Sequence, residues 1–157
     1  MKKIFFFILI IVYSTNIAFA QHGADVATKL KEVNNDTLKY IRESIINQNQ
    51  KYSGQPLEVL LKDLPHSINS YGHSPFFRPA DVMQGTSLYF YNYTERQNRI
   101  AKKMNPMVIV IVWKKPITVS ELEQSKMPIG GGVWDEKAIN YFKNRIIEKI
   151  DIARFDF

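Results

Sequence analysis

The side chains able to do acid–base or metal chemistry gather around His66 and His73, seven residues apart, with Asp63 and Asp81 nearby. A zinc site wants three or four ligands, often paired on one helical turn or in a tight loop. Neither histidine has that company, and both sit among turn residues. Serine hydrolysis wants a nucleophile on a sharp, glycine-flanked elbow. No G-x-S-x-G occurs; Ser53-Gly54, and Ser70 with His66 and His73, are the nearest approximations. Gly130-Gly131-Gly132 precedes a predicted helix, where phosphate cradles lie. It continues Val133-Trp134-Asp135 rather than Lys-Ser/Thr, and Asp135 would set a carboxylate where the anion belongs. We expect a flexible turn there, with no catalytic set, no cofactor and no metal site.

Aromatic residues give the better lead. Thr86 to Tyr93 reads as a strand whose alternation sends Leu88, Phe90 and Asn92 one way and Tyr89, Tyr91 and Tyr93 the other. An open face would make the three tyrosines a platform for sugar rings or a protein partner; a covering helix would make them core. Phe76 and Phe77 lie in a loop, where they either plug the edge of the core or mark a binding loop. Asn92-Tyr93-Thr94 matches a glycosylation acceptor, a short pattern taken here as chance.

The elements that must position these residues follow from periodicity. Val26, Leu30, Val33, Leu38, Ile41 and Ile45 recur at helical spacing, with Asp36 capping a second segment through about Asn47. Pro56 to Leu64 is a short helix with Leu57, Leu60, Leu61 and Leu64 inward. His66 to Tyr71 is a first strand, and Gly72 to Gly85, with Pro75 and Pro79, a long loop. The stretch 94–106 is a polar, basic connection. Met107 to Trp113 is apolar on both faces, as a central strand is, with Pro116 stopping it. Ser120 and Glu123 make a capping box for a short helix. Asp135 caps the last helix, with Ile139, Phe142 and Ile146 as its buried stripe, and Glu148 to Phe157 alternates as a terminal strand. The sum is an α+β domain of two layers. Its mostly antiparallel sheet has about four strands, with N-terminal and C-terminal helices packed on it.

The segment Lys51-Tyr52-Ser53-Gly54-Gln55-Pro56-Leu57-Glu58-Val59-Leu60-Leu61-Lys62-Asp63-Leu64, with the Val-Ile-Val-Ile-Val-Trp strand and the Trp134 helix, resembles small uncharacterised exported proteins of Bacteroidetes type. Their recurrent feature is G-x-P-L-x-x-L-L-x-D-L after an N-terminal helix. The resemblance implies export and a compact domain, and brings no catalytic residue with it.

Export has its own signal. Lys2 and Lys3, the apolar run Ile4 to Val12 and Ala18-Phe19-Ala20 have the layout of a secretory leader over residues 1–20, with cleavage before Gln21. The run is too short for a spanning helix of about 20 apolar residues. Residues 21–157 then form a single domain, periplasmic or extracellular, with no membrane span after cleavage. The chain has no cysteine, so packing alone must stabilise it, and thiol chemistry is excluded. Its formal charge of +6 falls to +4 without Lys2 and Lys3. The bases are scattered rather than gathered in one stripe, so no nucleic-acid partner is expected. These features point to a non-enzymatic binding domain for an envelope protein or glycan. The competing expectations are a small hydrolase built on the His66/His73 region and a structural or assembly accessory.

Overall fold

Caps in the sequence set most helix starts. The computed structural model describes residues 25–74 and 81–155; the expected leader over 1–20 and the candidates Phe76 and Phe77 lie outside the described residues. Helix α1 covers 25–32. The Asp36 carboxylate accepts from the Lys39 amide and opens α2 (Thr37–Tyr40), which runs on as a π-helical stretch, Ile41–Ile46. Tyr40, Ile41 and Ile45 are buried along it. Helix α3 (Leu57–Asp63) starts after Pro56, whose lack of an amide proton costs nothing at a helix start. Leu57, Leu60 and Asp63 face inward, while Leu61 and Leu64 pack only partly buried at the edge.

The sheet has five strands, all antiparallel, in the order β4-β1-β2-β3-β5. They are β1 (Ser70–Ser74), β2 (Val82–Tyr89), β3 (Val108–Thr118), β4 (Gly132–Val133) and β5 (Ile147–Ile152). Between them lie α4 (Tyr93–Ala101), α5 (Val119–Gln124) and α6 (Glu136–Phe142). The architecture is the expected α+β, with β4 as the added strand. Register places Tyr71, Leu88, Ile109 and Ile152 in one row across four strands, and His73, Thr86, Ile111 and Ile150 in the next row on the same face. Phe142 of α6 lies on this face against Tyr71 and His73 and stacks on Trp113. The opposite face carries the row Gly72, Ser87, Val110 and Asp151, with Tyr89 and Val108 beside it.

Several expectations need correction. The first strand begins at Ser70 rather than His66, and runs through Gly72 into what reads as loop. Strand β2 ends at Tyr89, and the basic stretch after it is a helix. Asn92 accepts from the Glu95 amide while the Glu95 carboxylate accepts from the Asn92 amide, a complete capping box that turns the chain out of the sheet. Pro116 does not stop β3. The strand shifts register beyond Val112, so the missing proline donor falls where the ladder is already irregular, and pairing resumes at Ile117. Helix α5 is capped by Thr118, which accepts from the Glu121 amide, two residues before the expected cap. In α6, capped by Asp135 as expected, the buried residues are Ala138 and Phe142; Ile139 is exposed, and Ile146, also exposed, lies beyond the helix in a bridge to Pro56.

The two sheet edges differ. β5 is covered by the segment before α3: Ile147 donates to the Gln55 carbonyl and accepts from the Gly54 amide, and Ile150 donates to Asn49 Oδ1. The other edge is the two-residue β4. Gly131, at φ +108°, brings the turn against β1; a Cβ there would lie 2.2 Å from the Tyr71 carbonyl oxygen. No helix among the described residues is long and apolar enough to cross a membrane.

Candidate binding surface

The three tyrosines do not share a strand face. Tyr89 ends β2, Tyr91 lies in the turn, and Tyr93 is the first residue of α4. What gathers them is α4 itself. Tyr89 lies across β1 at Gly72, where a Cβ would meet its hydroxyl at 2.9 Å. The Arg96 guanidinium sits over the Tyr89 ring at 3.7 Å and 6.0 Å from that of Tyr93. One turn on, Arg99 sits over Tyr91 at 4.5 Å and donates through Nε to the Asn105 carbonyl at 3.0 Å. Tyr91 in turn donates to Met107 Sδ. Tyr93 is 69% exposed, and no residue of α4 is buried. The helix is therefore held by its capping box and by guanidinium–ring stacking, each stack contributing about 0.5–1 kcal/mol at an exposed site.

The charges here are unbalanced. Arg96, Arg99, Lys102 and Lys103 form no ion pair among the described residues. The one acid of α4, Glu95, is occupied in the capping box. The Arg96 side chain makes no hydrogen bond to the described residues, and its Nη1 is buried without a partner.

The two histidines are engaged separately. His66 Nε2 lies 3.0 Å from Thr37 Oγ1 and lines a cleft of about 340 Å³ with Leu61, Leu64, Ile68, Trp134 and Ile139. His73 Nδ1 lies 3.3 Å from Thr86 Oγ1, which also accepts from Trp113 Nε1 at 2.8 Å. Burial first, and the Arg145 charge second, push the His73 imidazole down to about 4. It is neutral at physiological pH, wedged against Phe142 with Nε2 unpartnered. Arg145 itself pairs with Glu121 and lies over the Tyr141 ring. His66 and His73 share no hydrogen-bond partner among the described residues; the stacked rings of Trp134, beside His66, and Phe142, beside His73, lie between them.

The aspartate of the α3 segment has a structural place. Asp63 is buried and accepts from Tyr52 at 2.6 Å and Lys51 at 2.5 Å, while its carbonyl accepts from Tyr40 at 3.0 Å. Burial, then the Asp63 charge, push the Tyr40 hydroxyl up to about 12; burial and the Asp63 hydrogen bond push Tyr52 up as well. These phenols stay protonated and donate. Among the described residues no group of three or more acidic, histidine or cysteine side chains is arranged to hold a metal.

Sequence reasoning picked out the tyrosines but missed Arg96 and Arg99, although the signal was present: N-x-x-E at Asn92–Glu95 announces a helix start, and arginines four and seven residues after Asn92 then fall on its surface. Comparison with protein families, with curated proteins and with solved structures finds no match.

Proposed function

We propose that this protein is a non-enzymatic binding domain, exported to the periplasm or the cell exterior, whose partner is a protein or glycan of the envelope. The observation that carries this reading is the α4 surface. A helix that buries nothing in the core still holds two arginines ordered on tyrosine rings, beside a third tyrosine open to solvent. Tyrosine and arginine dominate the energetics of recognition surfaces because they offer large contact area and directional donors at low entropic cost. Prior stacking lowers that cost further, since the guanidinium groups are oriented before any partner arrives.

Tyr93 provides a clean test because its side chain supports nothing beneath it. In a screen of glycans and envelope proteins, Tyr93→Ala keeps the melting temperature of the wild type and binds the captured partner at least about tenfold more weakly, a loss of roughly 1.4 kcal/mol. Undiminished binding by Tyr93→Ala removes α4 from the reading and moves the site to the cleft beside Trp134.

A further inference from the structure

Arg96 is poorly placed for helix stability. It is the fourth residue of α4, near the end where the helix dipole favours anions and disfavours cations. Lys102 and Lys103, at the other end, are accounted for by that same dipole. No carboxylate among the described residues balances Arg96, and none accepts from it. Its stacking on Tyr89 fixes the guanidinium plane without using any of its N–H donors. With Nη1 buried, the edge left for a ligand is that of Nε and Nη2, which a carboxylate can pair with in the plane through two parallel hydrogen bonds.

We propose that the ligand of this surface is an acidic polysaccharide, with Arg96 holding a sugar carboxylate and Tyr93 stacking on the face of a neighbouring ring. The inference rests on the binding reading above and names its ligand class. Arg96 and Arg99 lie about 4.5 Å apart along α4, at 1.5 Å rise per residue, and Lys102 and Lys103 follow directly after its end. That arrangement matches a linear polymer with charges at intervals. Tyr93 offers a flat open ring, and a pyranose has a flat apolar face to lay on it, which the acidic side chains of a peptide lack. A single-stranded nucleic acid needs successive open rings for its bases. Here Tyr89 and Tyr91 are already occupied by guanidinium groups, leaving one.

The test is calorimetric titration of the full chain with polygalacturonate, its neutral methyl ester, heparin and single-stranded DNA. Polygalacturonate is expected to bind, and the methyl ester at least about tenfold more weakly. Arg96→Ala loses about tenfold or more toward polygalacturonate, Arg96→Lys recovers part of it, and Lys39→Ala, on a different helix, changes nothing. Equal binding of acid and ester overturns the carboxylate assignment while leaving a glycan-binding domain standing. Tighter binding of single-stranded DNA than of polygalacturonate, or tighter binding of heparin with Arg96→Lys as good as wild type, overturns the carboxylate assignment in favour of unspecific polyanion attraction. No binding of polygalacturonate overturns it outright, and the Tyr93→Ala screen then judges the broader reading independently.

Discussion

Two charged groups, Asp63 and Arg96, are treated in opposite ways by this fold. Asp63 is buried and fully served: a phenol and an ammonium donate to its carboxylate, and a second phenol donates to its carbonyl. Arg96 is stacked but unserved, with one nitrogen buried and no acceptor within reach. His73 lies between these extremes. It too has a buried nitrogen without a partner, but an imidazole can give up its charge, and burial drives it to do so. A guanidinium cannot. The difference separates a charge whose partners hold the fold together from one that the fold uses only through its contact with a ring, leaving its charge unbalanced.

The largest expected effect is at the served end of the comparison. Asp63→Ala leaves the Tyr52 hydroxyl buried without its acceptor and Lys51 without its partner. Hydrogen bonds to a charged group are worth about 1.5–3 kcal/mol each, and Lys51 is half exposed, so its share is the smaller. A loss of about 3 kcal/mol in urea unfolding is expected. A loss under about 1 kcal/mol would place Asp63 with Arg96 as a dispensable charge and dissolve the contrast.

His73 sharpens it through pH. The ordinary histidine value is about 6.5, and in the folded protein it lies at about 4. Between those values the unfolded chain takes up a proton that the folded chain refuses, so stability falls as pH falls. The contribution is fully present above about pH 6.5 and is lost progressively toward pH 4; 1.36 kcal/mol per unit sets a ceiling of about 3.4 kcal/mol, which the partial exposure of the ring reduces to roughly 2–3 kcal/mol. Urea midpoints measured from pH 7 to pH 4 should show this slope, and His73→Gln should flatten it. An unchanged slope in the variant assigns the acid sensitivity to another group.

What was legible in the sequence follows the same division. The paired elements announce themselves locally: Asp36 and Asp135 cap as their spacing says, and the apolar run Met107 to Trp113 falls in an interior strand, β3, paired on both sides by β2 and β5. The α+β class follows from such elements. The tyrosine row was misread because Thr86 to Tyr93 alternates acceptably as a strand, and only the reciprocal bonding of Asn92 and Glu95 decides that the chain leaves the sheet instead. Pro116 was read as a stop because the compensating register shift depends on the partner strands. Arg96 on Tyr89 is not a local pattern at all. It requires knowing that Gly72, on another strand, leaves room for the Tyr89 ring to lie flat.

The smallest expected effect is the most informative about Arg96. Its stack on Tyr89 contributes about 0.5–1 kcal/mol. Against this stand an unbalanced cation in the N-terminal half of a helix, opposed by the dipole at about 0.3–1 kcal/mol, and a buried N–H with no acceptor. Arg96→Met keeps an unbranched chain to lie over the Tyr89 ring, preserves helix propensity and removes both liabilities. The two liabilities together are at least as large as the stack, so unfolding free energy should stay the same or rise by about 1 kcal/mol. A loss above about 1.5 kcal/mol would make Arg96 a structural residue, equal in kind to Asp63. With stability unchanged, a carboxylate ligand that still distinguishes wild type from Arg96→Met identifies an arginine retained for what it binds.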